Sequence, residues 1–178
     1  TRMVAFSHIS NALGTVNPVR EIVEQAKKVG ALVLIDGAQA VPHRQVDVQE
    51  LGCDFYAFSG HKMCGPTGSG GLWARRSLLE SMPPYHGGGE MIRMVSRDAS
   101  TWAEIPHKFD AGTPNIAGAI AHGAAADFLD KGGSDAIAEH ETELLAYAIE
   151  RIDELGGVQI YATTDLDERP GDNSYSIG

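Results

Sequence analysis

Lys62 sits in Ser59-Gly60-His61-Lys62, just ahead of the glycine-rich Gly65-Pro66-Thr67-Gly68-Ser69-Gly70-Gly71. An amine in such a turn, past the apolar run Phe55-Tyr56-Ala57-Phe58, can act as a Schiff-base nucleophile toward an aldehyde cofactor. It must lose its proton to do so, and partial burial would help. Ser59 and His61 can donate hydrogen bonds to a phosphate, and the glycines let the backbone approach it. A carboxylate, Asp36, stands upstream in Leu34-Ile35-Asp36-Gly37-Ala38-Gln39. Each residue alone has a plainer reading: Lys62 as a solvated charge, Asp36 as a helix cap, His61 as a structural histidine. The joint pattern has fewer bland explanations.

The elements that would position these groups follow from the apolar pattern. Met3-Val4-Ala5-Phe6 reads as a buried strand, ending in the polar cluster Ser7-His8-Ile9-Ser10-Asn11. Asn17-Pro18 starts a helix, Asn17 as N-cap and Pro18 at the first helical position. Val19, Ile22, Val23, Ala26 and Val29 give it one apolar face, and Gly30 ends it. Ala31 to Ile35 is apolar on both faces, the pattern of a central parallel strand. Strand, helix and strand in this order predict a βαβ unit with a right-handed crossover. Ligands of such sheets sit beyond the carboxyl ends of the strands. Asp36 is expected as the first residue past the second strand, Ser59 as the first past the strand 54–58, and Asn11 beyond the first. Three polar groups then meet at one edge of one sheet.

Further along, Gly70 to Ala74 predicts another strand and Ser77 to Met82 a short helix. Pro83 to Glu90 reads as a long loop with three consecutive glycines, either a close backbone approach or a plain connection. Phe109 to Asn115 leads into an alanine-rich helix ending near Gly132-Gly133, in which Gly118 and Gly123 suggest tight packing on a neighbour. Ser134 is expected to cap a last helix with a buried stripe of Ile137, Leu144, Leu145, Ala148, Ile149, Ile152 and Leu155, stopped by Gly156-Gly157. A strand over Val158 to Tyr161 and a polar loop from Thr163 to Asp172 complete the reading.

The chain has 178 residues, a formal net charge of −10 and two cysteines, Cys53 and Cys64. The negative balance argues against a nucleic-acid partner. No apolar run approaches membrane-spanning length, and no signal peptide opens the sequence. The cysteines have neither metal-ligand nor redox spacing, which fits a reducing, cytoplasmic compartment. No metal site is expected. The start on Thr1 and the close on Asn173 to Gly178, which reads like a strand just starting, are taken as the ends of an internal piece of a longer protein.

Pyridoxal phosphate (PLP) asks a protein for a lysine, for a carboxylate that keeps the pyridine nitrogen protonated so the ring acts as an electron sink, and for phosphate donors. Lys62, Asp36 and the pair Ser59/His61 match those needs on adjacent strand ends.

Asp36-Gly37-Ala38-Gln39, Ser59-Gly60-His61-Lys62 and Gly65-Pro66-Thr67-Gly68 together resemble the class V aminotransferase superfamily of PLP enzymes. Ser7 to Asn11, Gly87-Gly88-Gly89-Glu90-Met91-Ile92 and Ala111-Gly112-Thr113-Pro114-Asn115 resemble its SUF-type cysteine desulfurases and selenocysteine lyases. The resemblance implies an α/β chain of PLP-dependent transferase fold type I, a mostly parallel sheet flanked by helices. Residues 1–133 would belong to the large PLP-binding domain, 134–156 to a connecting helix and 157–178 to the start of a small C-terminal domain. Lys62 would be the catalytic lysine. Asp36 would pair with the pyridine nitrogen, Gln39 with the phenolic oxygen, and Ser59 and His61 with the phosphate. Asn11 would lie by the cofactor and the substrate carboxylate. Thr113 would reach the phosphate of the partner subunit in a homodimer.

The implied reaction converts L-cysteine to L-alanine, with sulfur passing through an enzyme persulfide to an acceptor protein for iron–sulfur cluster assembly. L-selenocysteine as substrate, another PLP lyase or aminotransferase of the superfamily, and a non-catalytic α/β binding module are the alternatives. Intact Lys62 and Asp36 argue against the last. Three departures stand out: Cys64 where the family more often has tyrosine, Ser69 where an aliphatic residue is usual, and Asp110 for the common glutamate. The family's ring-stacking histidine, N-terminal phosphate-loop residues, substrate-gripping arginine and sulfur-accepting cysteine have no counterpart in these residues, so the segment by itself is expected to be inactive.

Overall fold

A computed structural model describes residues 1–158, 160 and 161. The chain begins with strand β1 (Met3–Ser7), helix α1 (Val19–Lys28) and strand β2 (Leu32–Asp36). A single helical turn, α2 (Val48–Leu51), precedes β3 (Phe55–Ser59), and a 3₁₀ turn over Gly60–Lys62 follows it. β4 (Gly70–Ala74) and α3 (Arg76–Ser81) come next. A hairpin of β5 (Ile92–Val95) and β6 (Ser100–Trp102) leads to two long helices, α4 (Ile116–Gly132) and α5 (Ser134–Leu155).

The main sheet has four strands in the order β1-β2-β3-β4. β1, β2 and β3 are parallel, while β4 runs antiparallel to β3. Parallel neighbours need a crossover, and α1 supplies the one between β1 and β2. The fold is thus α/β with a mostly parallel sheet, as the sequence implies.

The core lies between α1 and one face of the sheet. Val19, Val23 and Ala26 of α1 pack with Val33, Ile35, Cys53 and Tyr56. Val33 and Ile35 are fully buried while Leu32 and Leu34 are half-covered, so β2 is sealed on one face only. Each fully buried aliphatic side chain contributes about 1.5–3 kcal/mol. Asp54, buried at the entry to β3, accepts from the Val33 amide at 2.8 Å and pairs with Arg75 Nε at 3.0 Å. Arg75 also donates to the carbonyls of Cys53 and Gly52, tying β4 to the start of β3.

Several local expectations are revised. α1 starts at Val19 with Pro18 as its N-cap, and the Asn17 amide does not cap it. That amide donates instead to the Ser7 carbonyl at 2.6 Å, pinning the helix entry to the end of β1. Val29 leaves the apolar stripe: it is the C-cap and 67% exposed. Ser134 is the first residue of α5, with Gly133 as N-cap and no side-chain cap. Within the α5 stripe only Leu145 is fully buried, and Leu144 and Leu155 are exposed. Gly123 faces open space, and a Cβ at Gly118 would meet the side chain of the α4 N-cap Asn115 rather than another element. Gly156 and Gly157, both at positive φ, do end α5. Val158, Ile160 and Tyr161 carry no strand, and the expected loop from Thr163 to Asp172 lies outside the described residues.

Candidate active site

The parallel register aligns Ser7 with Asp36, and Asp36 with Ala57. The carboxyl ends of β1, β2 and β3 therefore form one edge. Asp36 and Ser59 close their strands rather than following them, because ladder pairing continues through Ser7↔Asp36 and Ser59↔Gly70. Asp36 is exposed at this edge, and its Oδ1 accepts from the Ala38 amide at 3.0 Å. Gln39 is half-buried in the tight turn after it, which is closed by Ala40 N and Val41 N donating to the Gly37 carbonyl at 2.9 and 3.1 Å. Asn11 is exposed in the turn after β1, where the Ser10 carbonyl accepts from Gly14 N at 3.0 Å.

Lys62 ends the 3₁₀ turn that leaves β3. The Gly60 carbonyl accepts from both Met63 N and Gly65 N at 2.9 Å, and Gly60 N donates to the Ser69 carbonyl at 2.8 Å. A Cβ at Gly60 would fall 2.1 Å from Ser69 Oγ, and one at Gly65 would fall 2.8 Å from the Gly60 carbonyl oxygen. Both glycines are thus steric requirements of the turn that carries Lys62. Cys64, at φ 60, is exposed and takes the left-handed conformation of that turn. Lys62 is half-buried and His61 exposed.

Thr113 is placed differently. It is exposed just ahead of α4, in a segment held by Gly112 N donating to the Gly89 carbonyl at 2.9 Å. Of the three glycines at 87–89, Gly88 approaches that segment, where a Cβ would lie 3.2 Å from Gly112 N, while Cβ atoms at Gly87 and Gly89 would meet open space. Pro114 and Asn115 face Met63 and Gly68 to Gly70 across a cleft of about 620 Å³ that contains neither Lys62 nor Asp36. The structure thus gathers Asp36, Ser59, His61 and Lys62 at one edge and leaves Thr113 on a separate segment.

Sequence reasoning missed the layer beneath the edge. His8 is buried, and its Nδ1 lies 2.9 Å from the Tyr56 hydroxyl. Burial first, then the nearby Arg44 guanidinium, push the His8 imidazole down to about 4. Burial, then Cys53, hold the Tyr56 hydroxyl well above the ordinary tyrosine range. Both rings are neutral near pH 7, and the hydroxyl and Nδ1 share one hydrogen bond whose direction is set by the imidazole tautomer. A signal for this pair existed: a tyrosine inside an apolar strand carries a polar tip that must find a partner when buried.

A PLP-sized aldehyde phosphate is compatible with this edge by the chemistry of its donor set. Among the described residues, the Lys62 amine, the His61 imidazole, the Ser59 hydroxyl and the Gln39 amide have no side-chain hydrogen bond within the chain. An amine, a carboxylate, an imidazole, a hydroxyl and an amide thus remain available at one edge. No group of His, Cys, Asp and Glu suited to a metal ion occurs among the described residues, and no described helix is long and apolar enough to cross a membrane.

Comparison with known proteins places this geometry. Residues 1–176 match the family model for aminotransferase class-V. A probable cysteine desulfurase of Halalkalibacterium halodurans is 57% identical over 90% of this chain and 40% of its own. The apo cysteine desulfurase of Thermococcus onnurineus NA1 superposes with a TM-score of 0.91 at 39% identity, over 96% of this chain and 43% of that one. The cystine C–S lyase C-DES superposes at 0.83 with 27% identity, over 96% of this chain and 45% of that one in a form with glycine covalently linked to its PLP cofactor. Another C-DES structure, a complex with its product cysteine persulfide, matches as well. The chain spans about 40% of the length of the curated relatives it matches.

Proposed function

We propose, given that this chain belongs to the aminotransferase class-V family, that the whole protein is a PLP-dependent cysteine desulfurase. The observation that carries the reading is the parallel register that brings Asp36, Ser59, His61 and Lys62 to one sheet edge. The cysteine desulfurase relatives support the substrate.

When bound, PLP supplies an electron sink for the bonding electrons at the substrate's alpha carbon. The chain's own residues then have separable tasks. Lys62 holds the cofactor through its amine and moves the alpha proton. The Asp36 carboxylate accepts a hydrogen bond from the pyridine N–H and keeps that proton in place. Gln39 donates to the phenolic oxygen. Ser59 and His61 hold the phosphate, with Thr113 serving the phosphate of a partner subunit in a homodimer. Asn11 stands by the substrate carboxylate. Overall, L-cysteine and an enzyme thiol become L-alanine and an enzyme persulfide, so the sulfur atom and its electrons balance without an external oxidant. We assign the sulfur to iron–sulfur cluster assembly through an acceptor protein, in the SUF-type manner that the Ser-Gly-His-Lys and Gly-Pro-Thr-Gly motifs suggest, in the cytoplasm. We read residues 1–133 as part of the large PLP-binding domain and 134–156 as a connecting helix.

The likeness to C-DES favours a second reading, a lyase that eliminates sulfur from cystine or a related amino acid. Product analysis separates the two. Full-length protein with PLP, cysteine and a reductant should yield alanine and sulfide, and Lys62→Ala should yield neither above the level of free PLP. Pyruvate and ammonia in place of alanine would select the lyase. Selenocysteine tested alongside cysteine decides between the sulfur and selenium substrates.

A further inference from the structure

The buried His8–Tyr56 pair has no part in the roles assigned above, and its contacts reach the edge directly. The His8 amide donates to the Asp36 carbonyl at 2.8 Å, and the Gly37 amide donates to the Ala57 carbonyl at 2.8 Å. These two bonds suspend Asp36-Gly37 between β1 and β3. The Tyr56 ring lies beneath the suspended unit: a Cβ built on Gly37 would fall 2.0 Å from Tyr56 Cε1 and 2.2 Å from Cζ and Oη. Only a glycine lets the ring close this far onto the backbone. At the ring's other constraint, His8 Nδ1 holds the hydroxyl at 2.9 Å, and the two rings meet edge to face with centroids 6.1 Å apart. Tyr56 is 1% exposed and His8 7%, so neither ring can swing to water.

We infer that Tyr56 and His8 are positioning residues for Asp36: the Tyr56 hydroxyl, held by His8, closes on Gly37 and fixes the turn from which the Asp36 carboxylate projects. The inference rests on the reading that Asp36 pairs with the cofactor's ring nitrogen, and it goes further by naming what aims that carboxylate. The turn needs such support because Asp36 is exposed and, among the described residues, its carboxylate makes one hydrogen bond, from its own local amide, Ala38 N. A carboxylate held only by its neighbour's amide would follow any backbone movement at Gly37. The tyrosine beneath removes that movement, and displacement of about 1 Å at such a group costs up to about a hundredfold in rate.

The test uses the full-length protein loaded with PLP carrying ¹⁵N in its ring. Parent, Asp36→Asn and Tyr56→Phe are compared, with His8→Phe as an independent break of the same bond should Tyr56→Phe fold poorly. A protonated ring nitrogen is strongly shielded, so its resonance reports the Asp36 contact and a merely structural loss of folded protein does not move it. Asp36→Asn is expected to abolish the shielded position. Tyr56→Phe and His8→Phe should each move it part of the way and lower kcat roughly tenfold with little change in KM. Amide exchange at Gly37 and Ala38 should quicken in both.

Resonances of Tyr56→Phe and His8→Phe that coincide with the parent, while that of Asp36→Asn moves, overturn the positioning role and leave the Asp36 reading standing. An Asp36→Asn resonance that also coincides with the parent defeats the Asp36 reading, and the positioning role falls with it.

Discussion

Replacing Gly37 by alanine adds one methyl group where the structure has least room. Gly37 does not take the left-handed conformation, so alanine meets no backbone penalty there and the effect is steric. The new Cβ would sit 2.0 to 2.2 Å from three atoms of the Tyr56 side chain, well inside van der Waals contact. The ring cannot yield outward, because Tyr56 is 1% exposed. If the ring moves, the 2.9 Å bond to His8 breaks, and if the turn moves, the 2.8 Å bond from Gly37 N to the Ala57 carbonyl breaks. Overpacking of this kind costs about 1–3 kcal/mol. A buried hydrogen bond left unmade costs about another 1–3 kcal/mol. Gly37→Ala should therefore destabilise the full-length protein by roughly 2–6 kcal/mol, read as a lowered urea midpoint at unchanged slope. A double-mutant cycle identifies the cause. In a Tyr56→Val background the space opens, and the same alanine should cost at least about 1 kcal/mol less. A Gly37→Ala protein within about 0.5 kcal/mol of the parent, or an equal cost in both backgrounds, refutes the reasoning.

Lys62→Ala should abolish the phosphopyridoxyl adduct that borohydride fixes to the full-length protein, whereas an adduct mapped by mass spectrometry to Lys27, Lys28 or Lys108 would contradict the assignment. Asp36→Asn should slow turnover on cysteine far more than it raises the dissociation constant for PLP, because the carboxylate serves the ring's protonation. Unchanged turnover removes Asp36 from that role. Cys64→Ser should keep turnover within about twofold, since the thiol is exposed in a turn and is not assigned to sulfur transfer; a persulfide trapped on Cys64 after cysteine turnover would say otherwise. His8 is lowered from its ordinary value to about 4 in the folded state. Between pH 6.5 and about 4 the unfolded chain binds a proton that the folded one refuses, so stability falls as pH falls through that window, by as much as roughly 3 kcal/mol. His8→Gln should flatten that part of the stability–pH curve, and an unaltered curve would show that the imidazole is not the group responsible.

The edge was legible because the order of elements determines it. A strand, an amphipathic helix and a second strand can pair in parallel only through a crossover, and polar residues at the strand ends then share a side. Asp36, Ser59 and Lys62 needed nothing more than that pattern to be placed together. The layer below was not legible, since which way His8 turns depends on Tyr56, a residue 48 positions away. The same dependence undid the Asn17 cap: a free helix end would have used that amide, but the Ser7 carbonyl competes for it and wins at 2.6 Å. Apolar periodicity on α5 states that a face wants cover, not what covers it. Among the described residues Leu144, Tyr147 and Leu155 remain exposed on that helix, as do Ile116, Ile120 and Phe128 on α4.

Ser69 shows how a departure from a family pattern can be absorbed. The sequence resemblance expects an aliphatic residue there, and a hydroxyl inside an apolar turn would ordinarily be a loss. In this chain β4 runs back antiparallel beside β3, so Ser69 lies directly under the turn that carries Lys62. Its hydroxyl donates to the Pro66 carbonyl at 2.8 Å, satisfying both groups and closing the glycine-rich loop on itself. The same oxygen occupies the space that a Cβ at Gly60 would need, 2.1 Å away. Glycine at position 60 and serine at 69 therefore make one packed unit, and the bond from Gly60 N to the Ser69 carbonyl locks it. A loop that composition alone would leave mobile becomes a braced turn against the 60–62 turn that carries the lysine.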